Sequence, residues 1–454
     1  MRITIIGGGI SGLSLAFALL QKRHNIELRV FEGEGEVGGK IRTVKTEGFL
    51  CEASVNGFLN NRPETLTLAS KLSLNPLKSN DNARKRLILS NNKLQLIPDN
   101  PKSFFTSGFL SISGRLRVLL ELLMPKGSAD DESLESFGIR RVGREFFEKL
   151  LDPLASGIYA GDPSKMSIRS CFGKVFDIEK KYGSLIRGFI AMSKEAKKTG
   201  KRASAGPSGV LYSFAEGMIS LISALKNNLG ERIITGKQLI SVEKRPNLYE
   251  LFFQDGTVYE SDIVIFAIPA NNLATIISNM DKTIAKILET ITYPPVTVVA
   301  TGLAKNKIGQ DMNSFGFLIP STENRNTLGT LFDSSIFSNR APSGKVLLRT
   351  FVGGARKPEL AMLDDDKIVN MVMKELSDIL KITSDPDFVR IFRWPKAIPQ
   401  YLIGHHRKLQ QLDEQLQNHK GLYLTGNAYR GVSVNDCIAN NLLLAEKVVM
   451  DMVL

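Results

Sequence analysis

The chain has little cysteine and little histidine for its length. Its three cysteines, Cys51, Cys171 and Cys437, lie far apart and form no CxxC pair, and only four histidines occur among 454 residues. This scarcity argues against a disulfide framework, a structural zinc site or a thiol redox centre. We therefore expect no metal, and we expect the cysteines to be buried as small apolar side chains in a protein of a reducing compartment.

The sequence also lacks long uncharged hydrophobic runs, with one apparent exception near its start. Residues 3–20 are mostly apolar and follow Arg2, as in a signal peptide or a membrane anchor. However, four glycines interrupt this run, and no small-residue cleavage site follows it. We predict an unprocessed chain on the cytoplasmic side that does not span a bilayer.

Acidic residues are fewer than basic residues in this chain. The chain has 46 Asp and Glu against 59 Lys and Arg, a formal net charge of +13. Such a balance favours an acidic partner, namely an anionic lipid surface, a polycarboxylate substrate or nucleic acid. Because no zinc finger, basic-leucine region or ribonucleoprotein motif occurs, we expect no nucleic-acid partner. A merely solvated basic surface is the alternative.

Three spaced glycines follow a short β-branched run at the start of the chain. Gly7 permits a tight turn, Gly9 lets the backbone approach a pyrophosphate, and Gly12 lets the next helix pack closely on the strand. Residues 13–21 are predicted to form that helix, whose N-terminal amides would point at the phosphate. The spacing therefore predicts a dinucleotide-binding unit.

An acidic residue, Glu32, ends the next predicted strand twenty positions after Gly12. A carboxylate here accepts a hydrogen bond from a ribose 2′-hydroxyl, whereas an arginine would suit a 2′-phosphate. The pattern thus predicts a dinucleotide without a 2′-phosphate. It does not distinguish NAD from FAD, and a glycine-rich turn in an unrelated α/β protein is the alternative.

The apolar pattern becomes helical between Pro98 and Arg202, which indicates an inserted helical domain. Arg115 and Arg117 lie beside a run of leucines, and basic residues from Lys194 to Arg202 are predicted to form a polar loop. Apolar helices with basic flanks are typical of membrane surfaces, where Phe and Leu insert and Lys and Arg contact phosphates. An ordinary helical domain with its leucines inward is the alternative.

Strand patterns return after the helical region. Residues 262–270 are typical of a parallel strand covered on both faces. Residues 271–404 indicate a second, α+β domain. Residues 421–427 resemble a strand ending in glycine, and an apolar helix from Ala439 onward is predicted to return to the cofactor.

With these landmarks, the chain resembles the oxygen-dependent protoporphyrinogen oxidase family of haem biosynthesis, including its coproporphyrinogen-oxidising bacterial members. The resemblance runs nearly end to end. The motifs most particular to that family are GIYAGD at 157–162, IPQY at 398–401 and GNAYRGVSVND at 426–436. The glycines at 7–12 and GGKIR at 38–42 are shared with many FAD amine oxidases.

The resemblance selects FAD over NAD and implies the positions that hold it. In that family the glycines and the glutamate hold the ADP half, and later segments surround the rest of the flavin. The matching positions are Gly7, Gly8, Gly9, Ile10, Ser11, Gly12, Glu32, Gly39, Lys40, Arg42, Ser54, Val55, Asn56, Gly57, Leu239, Gly426, Asn427, Val432, Ser433 and Val434.

The resemblance also implies the substrate pocket and a role for the flavin. The pocket positions are Asn56, Gly157 (through its backbone), Leu318, Leu331 and Phe351. No catalytic side chain is implied, because hydride would pass from the substrate to flavin N5. Four arginines are candidates to bind the propionate carboxylates of the substrate: Arg42, Arg349, Arg356 and Arg430. For each of them, an ordinary surface role is the alternative.

Three departures from the family pattern occur. Ser54 and Val55 stand where Gly-Pro is usual, and Glu216 with Gly217 replaces a usual Gly-Gly. Asn56 stands where some members have an arginine near a substrate propionate, although other bacterial members also have asparagine there. The ion pair with a propionate is therefore not implied here.

The implied activity is oxidation of protoporphyrinogen IX to protoporphyrin IX, with reoxidation by O2 giving H2O2. Three alternatives are weighed against it. They are coproporphyrinogen III oxidation on the same fold, an amine oxidase or carotenoid desaturase, against which the family motifs argue, and a catalytically silent membrane-bound flavoprotein.

The predicted fold class is α/β, a Rossmann-like FAD-binding domain with an inserted helical membrane-associating domain and an α+β substrate-binding domain. The FAD-binding domain is divided into residues 1–90, 206–270 and 405–454, with the helical domain at 91–205 and the substrate domain at 271–404. The resemblance implies a peripheral protein on the cytoplasmic face of an anionic cell membrane. It is compatible with a homodimer and with hand-off of the porphyrin to a ferrochelatase.

Overall fold

The computed structural model describes residues 1–23, 25–98, 100–199 and 209–452 of the protein. Its strands are β1 (Arg2–Ile6), β2 (Glu27–Phe31), β3 (Thr43–Thr46), β4 (Phe49–Glu52), β5 (Phe58–Leu59), β6 (Leu77–Lys78), β7 (Leu87–Ser90), β8 (Lys93–Leu96), β9 (Leu211–Ser213), β10 (Ile233–Ile234), β11 (Leu239–Lys244), β12 (Tyr249–Phe253), β13 (Val258–Ser261), β14 (Ile263–Phe266), β15 (Val296–Ala304), β16 (Gly316–Leu318), β17 (Thr327–Phe332), β18 (Lys345–Gly353), β19 (Phe388–Trp394) and β20 (Leu422–Leu424).

Its helices, again in chain order, are α1 (Ile10–Lys22), α2 (Glu64–Lys71), α3 (Pro101–Thr106), α4 (Ile112–Leu119), α5 (Leu134–Val142), α6 (Arg144–Phe146), α7 (Asp152–Tyr159), α8 (Ile168–Cys171), α9 (Gly173–Tyr182), α10 (Leu185–Thr199), α11 (Ile219–Leu229), α12 (Ala270–Ile277), α13 (Lys282–Glu289), α14 (Asp333–Ile336), α15 (Asp365–Leu380), α16 (His405–Leu416) and α17 (Val434–Asp451).

Five parallel strands form the sheet that carries the N-terminal glycines, in the order β10-β2-β1-β14-β20. β1 lies at its centre, where Ile5 pairs with Val30 on one side and with Ile265 on the other. All residues of β14 are buried, as expected for a strand covered on both faces. Helices α1, α11 and α17 pack on one face, and α12 and α13 on the other. The predicted Rossmann-like architecture is confirmed.

Both helices that flank the predicted cofactor site begin earlier than the sequence analysis predicts. Helix α1 starts at Ile10, so that Gly12 lies inside its first turn. Helix α17 starts at Val434 because Ser433 caps it: the Ser433 hydroxyl accepts from the Asp436 N–H, and the Asp436 carboxylate accepts from the Ser433 N–H. The apolar stripe alone did not reveal this capping box.

A seven-stranded mixed sheet forms the second layer, in the order β19-β15-β18-β17-β16-β7-β8. All neighbours are antiparallel except β16 and β7. Helix α15 covers one face and contributes Ile368, Val372 and Leu376 to the core there. Strand β7, which lies within the predicted first FAD-binding segment, pairs in this sheet. The exact domain boundaries stay a prediction.

Helices α3 to α10 follow one another between Pro101 and Thr199. Strand β8 also lies within residues 91–205 but pairs with β7 in the seven-stranded sheet, so the helical domain with these bounds stays a prediction. Leu134, Phe137, Tyr159 and Phe176 are buried in its core. In the described ranges, no helix is both long enough and apolar enough to cross a bilayer.

Two basic residues beside the leucines of this region act inside the protein. The Arg115 guanidinium donates to the Phe105 carbonyl of α3 and to the Ser107 and Leu110 carbonyls of the loop that follows α3. The Arg117 guanidinium donates to the last carbonyls of α5. These contacts cap local backbone, so the structure does not support the predicted phosphate contacts for either arginine.

The basic residues predicted to close this region in a loop divide into two sets. Lys194, Lys197 and Lys198 lie in α10, so the predicted loop is wrong for them, because the amphipathic pattern of that helix continues to Thr199. Lys201 and Arg202 lie outside the described residues.

Candidate active site

The glycine turn after β1 has the tight geometry that its sequence predicts. Gly7 has φ +112°, a conformation that favours glycine, and its N–H donates to the Phe31 carbonyl at 2.8 Å. A Cβ added at Gly12 would lie 1.9 Å from the Gly7 carbonyl oxygen, whereas one added at Gly9 would meet no atom within 4 Å. Gly12 is therefore required for packing, and Gly9 faces open space.

Glu32 lies at the carboxyl end of β2, beside this turn. Its carboxylate accepts from the Gly8 N–H at 2.7 Å and from the Glu34 N–H at 2.9 Å. Ile10 is half-buried and Ser11 is buried in the first turn of α1, directly after the open space at Gly9. This set fits the ADP half of a dinucleotide, with backbone amides for phosphates and a carboxylate for a ribose.

The loop after β2 completes one side of the groove. The Gly38 N–H donates to the Gly8 carbonyl at 2.9 Å, and a Cβ at Gly39 would lie 3.4 Å from the Gly9 Cα. The Lys40 ammonium donates to the Ala397 carbonyl, and burial lowers the pKa of Lys40 to about 8. Lys40 therefore joins the glycine turn to the loop after β19.

Arg42 lies on the outer side of the same loop. Its Nε donates to the Gly39 carbonyl at 3.2 Å, and its guanidinium lies 5.8 Å from the centroid of the Trp394 ring. The side chain is exposed, so it remains available to an anionic ligand.

Residues 54–57 form the next wall. The Ser54 hydroxyl donates to the Lys40 carbonyl, which gives the departure from Gly-Pro a local role. Val55 is half-buried on the core beneath the parallel sheet. The side chain of Asn56 is only 9% exposed, yet neither amide atom has a hydrogen-bond partner among the described residues. Only glycine fits at position 57 without a shift of the backbone, since an added Cβ would lie 2.3 Å from the Tyr212 carbonyl oxygen.

The end of the chain returns to the first helix. Gly426 has φ +124°, and an added Cβ there would meet only the Ser11 hydroxyl, at 4.0 Å. The Asn427 carbonyl accepts from the Tyr401 hydroxyl at 2.6 Å. The Asn441 amide donates to the Ser11 carbonyl at 2.7 Å and to the Ser14 hydroxyl at 2.8 Å. Asn441 was not predicted, although a buried asparagine on an apolar helix is the signal that would identify it.

Three other predicted positions have mainly packing contacts. Leu239 is buried in β11, in the same core as Phe31 at the end of β2. Val434 is buried in the core with α1, and Val432 packs on the helical region. Ser433 caps α17 and so fixes where this helix begins.

The four apolar substrate positions form one wall. Gly329 pairs with both Leu318 and Phe351, and Leu331 lies two residues farther along the same strand, so all three side chains project from one sheet face. Each is half-buried. Gly157 on α7 covers this wall, since an added Cβ would lie 2.7 Å from Leu318.

This apolar wall is joined to the 54–57 segment. The Trp394 indole, on the same sheet face, donates to the Ala53 carbonyl at 2.9 Å. Together with the open space at Gly9 and the unpartnered amide of Asn56, this arrangement fits a bound FAD beside an apolar substrate pocket.

Comparison with known proteins decides the family. Residues 10–449 match the model of the flavin-containing amine oxidoreductases. The chain belongs to this family. It is therefore an FAD-dependent oxidoreductase.

The similarity to known proteins extends over nearly the whole chain of the oxidoreductase. It is 34% identical to the chloroplastic protoporphyrinogen oxidase of Oryza sativa subsp. japonica, over 96% of this chain and 85% of that one. It is 30% identical to the coproporphyrinogen III oxidase of Bacillus subtilis, over 96% and 95% respectively. A crystal structure from Exiguobacterium sp. 255-15, named "putative protoporphyrinogen oxidase", matches with a TM-score of 0.84 and 25% identity, covering 99% of each chain.

Three of the arginines considered as propionate partners form ion pairs with carboxylates of the oxidoreductase itself. Arg349 is fully buried against Asp333, so the predicted substrate contact is wrong for it. Arg356 pairs with Asp152, and Arg430 pairs with Asp413. Spacing could not reveal these pairs, because the carboxylates lie on other elements.

The cysteines of the oxidoreductase are unsuited to nucleophilic chemistry. Cys51 and Cys437 are buried as predicted, and Cys171 is half-buried. Burial raises the pKa of the Cys51 and Cys171 thiols to about 12 and that of Cys437 to about 11. The described residues contain no group of His, Cys, Asp and Glu that could hold a metal ion.

Proposed function

We propose that the protein oxidises protoporphyrinogen IX to protoporphyrin IX, with O2 as the electron acceptor and H2O2 as the product. The observation that carries the proposal is the half-buried apolar wall of Leu318, Leu331 and Phe351. Trp394 joins this wall to the Ala53 carbonyl, directly before the segment at 54–57. Such a wall suits the pyrrole rings of an apolar tetrapyrrole. The names of the similar proteins support the same substrate class.

The protein's own part is to bind and orient. Bound FAD supplies the oxidising chemistry, as an acceptor of hydride from the substrate. We propose that the glycine turn, Glu32 and the segment at 54–57 hold the cofactor, while the apolar wall orients the porphyrinogen. Asn56 then offers its amide to whichever polar group of cofactor or substrate lies against it.

The distribution of positive charge favours a substrate with few carboxylates. Of the four arginines considered as propionate partners, only Arg42 is free of an internal ion pair among the described residues. Coproporphyrinogen III carries four propionates and would call for a more cationic pocket. It remains the second candidate because the B. subtilis relative is named for that substrate.

A row of exposed apolar side chains supports contact with a membrane surface. Along α4 and the following turn, Ile112, Leu116, Leu119, Leu120 and Leu123 recur at helical spacing, and Ile112 and Leu123 are 77% and 72% exposed. We propose that this row inserts into the cytoplasmic face of the cell membrane, where an apolar substrate would concentrate. Homodimerisation and hand-off to a ferrochelatase stay predictions.

Aerobic turnover of both substrates tests the proposal. Purified protein with its FAD is incubated with protoporphyrinogen IX or coproporphyrinogen III, and porphyrin fluorescence and peroxide are followed together. We expect faster fluorescence gain with protoporphyrinogen IX. A gain no greater than autoxidation with either substrate would contradict the proposed porphyrinogen oxidation. A faster rate with coproporphyrinogen III would make it the favoured substrate in place of protoporphyrinogen IX.

A further inference from the structure

Four charged side chains are buried together between the 52–54 backbone and the seven-stranded sheet. Glu52 is 1% exposed, and Asp333, Arg340 and Arg349 are fully buried. They belong to β4, α14, the turn after α14 and β18, and their formal charges cancel. Burial of isolated charges is costly, so each member depends on its partners.

Arg349 makes the contacts that matter for the site. Its Nε lies 2.8 Å from Asp333 Oδ2, and its Nη2 donates to Asp333 Oδ1 at 3.3 Å. Its Nη1 donates to two main-chain carbonyls, those of Glu52 and Ser54, each at 2.9 Å. One side of the guanidinium thus holds a carboxylate, and the other holds the backbone that leads into Asn56.

The same residue is anchored in the apolar wall. Arg349 pairs with Leu331 across β17 and β18, and its guanidinium lies 5.6 Å from the centroid of the Phe351 ring. A guanidinium is planar, with its donors in a fixed fork. This rigid group therefore holds the 52–54 backbone at two carbonyls, beside the single bond from Trp394 to the Ala53 carbonyl.

We propose that Arg349, held by Asp333, is a positioning residue that fixes the segment at 54–57 relative to Leu331 and Phe351. It does not touch the substrate. It acts by aligning the segment at 54–57 with the apolar wall. The part of this inference that concerns the substrate rests on the proposed function.

Arg340 provides a matched comparison within the same cluster. It is as buried as Arg349, but its Nη2 donates to the Ser213 hydroxyl at 2.8 Å and its Nη1 to the Phe214 carbonyl at 3.5 Å. Its Nη2 also lies 3.6 Å from the Glu52 carboxylate, so it contacts the side chain of Glu52, whereas Arg349 holds the main-chain carbonyls of Glu52 and Ser54. If the cluster only stabilised the fold, substitutions at the two arginines would have the same consequences.

The test compares Arg349→Lys, Asp333→Asn and Arg340→Lys in the full-length protein with FAD bound. Thermal unfolding, FAD affinity, visible circular dichroism of the bound flavin, and kcat and KM for porphyrinogen are measured. A lysine retains the charge but cannot hold Asp333 and two carbonyls in one plane. We expect Arg349→Lys to alter the flavin dichroism and to lower kcat by about tenfold to a hundredfold, because misplacement by about 1 Å has effects of that order. We expect Arg340→Lys to lower thermal stability while kcat and dichroism stay near wild type.

Each other outcome counts against the proposal. Equal losses of kcat in Arg349→Lys and Arg340→Lys, or unchanged dichroism and kcat in Arg349→Lys, would overturn it. If Arg349→Lys does not fold, Asp333→Asn is judged by the same comparison. Failure of both to fold while Arg340→Lys folds would show a role in stability alone. If the wild type oxidises neither porphyrinogen, the proposed function fails, and the flavin dichroism still decides the positioning role.

Discussion

The side-chain amide of Asn441 donates a hydrogen bond of 2.7 Å to the main-chain carbonyl of Ser11, although 430 residues separate the two positions. The Asn441 carbonyl oxygen in turn accepts from the Thr425 hydroxyl. One buried amide thus ties the first turn of α1 to the end of β20, on both sides of the open space at Gly9. The cofactor groove is closed by the two ends of the chain.

Substitution Asn441→Ala is expected to weaken both the fold and FAD retention. It leaves the buried Ser14 and Thr425 hydroxyls without this partner, at a cost of about 1–3 kcal/mol in unfolding free energy. Thermal unfolding and FAD retained on gel filtration measure the effect. Asn440→Ala is the control, since that neighbouring amide makes an exposed bond to the Arg430 carbonyl. Equal behaviour of the two variants would contradict the proposed link.

Two of the three fingerprint glycines, Gly9 and Gly12, are expected to respond differently to alanine. Gly9→Ala adds a Cβ that meets no atom and keeps a permitted φ of −76°, so the apoprotein should unfold at the wild-type temperature while its FAD affinity falls. Gly12→Ala adds a Cβ 1.9 Å from a carbonyl and should destabilise the apoprotein itself. Calorimetry of both apoproteins and FAD titration check this. Wild-type FAD affinity in Gly9→Ala would show that the pyrophosphate does not lie there.

His405 is expected to make stability depend on acid pH. Burial lowers its pKa to about 4, and Lys408 and His406 act in the same direction, while its ring stacks on Tyr401 with centroids 4.2 Å apart. Between pH 4 and the ordinary value of 6.5, the unfolded chain binds more protons at this site than the folded chain. The free energy of unfolding should therefore be highest above pH 6.5, where His405 is neutral in both states. It should fall as the pH drops toward 4, by up to about 1.4 kcal/mol per pH unit.

Urea unfolding across that range, in wild type and His405→Gln, measures the dependence. Glutamine retains a polar side chain but does not ionise, so the slope should become shallower. An unchanged slope in the variant would assign the acid sensitivity to other groups.

Removing the exposed apolar row of α4 and the following turn is expected to weaken membrane binding without affecting the fold. A variant with Ile112→Ser, Leu116→Ser and Leu123→Ser loses three side chains, each worth about 1.5–3 kcal/mol when fully buried. Sedimentation with vesicles of anionic phospholipid should therefore show at least about tenfold weaker binding, even with partial insertion. Leu443→Ser with Met450→Ser on α17 is the control, since these residues are 66% and 67% exposed elsewhere. Equal binding of both variants would contradict insertion of this row.

Much of the cofactor half could be predicted from sequence because its constraints are local. Gly7, Gly12 and Glu32 follow one another in a βαβ unit, where strand length and helix packing fix their spacing. The substrate wall could not be derived from spacing: Leu318, Leu331 and Phe351 meet only through pairing of β16, β17 and β18, and a resemblance supplied them.

The errors at Arg349, Arg115 and Arg117 have one cause, since each is a charge whose partners inside the protein the sequence pattern does not show. Arg349 and Asp333 are both polar residues in apolar surroundings, and nothing local shows that they neutralise each other inside the protein. Arg115 and Arg117 were interpreted as surface groups for the same reason. Asn441 could be recognised only as a polar interruption of an apolar helix.

The most direct measurement is anaerobic mixing of the purified yellow protein with about one protoporphyrinogen IX for every three flavins, because the substrate gives up six electrons and each flavin accepts two. Flavin absorbance and porphyrin fluorescence are recorded together. We expect the yellow colour to bleach as porphyrin fluorescence rises, and to return with formation of peroxide when oxygen is admitted. Persistent colour with fluorescence rising only at the autoxidation rate, for protoporphyrinogen IX and for coproporphyrinogen III, would contradict the proposal that this flavoprotein oxidises porphyrinogens.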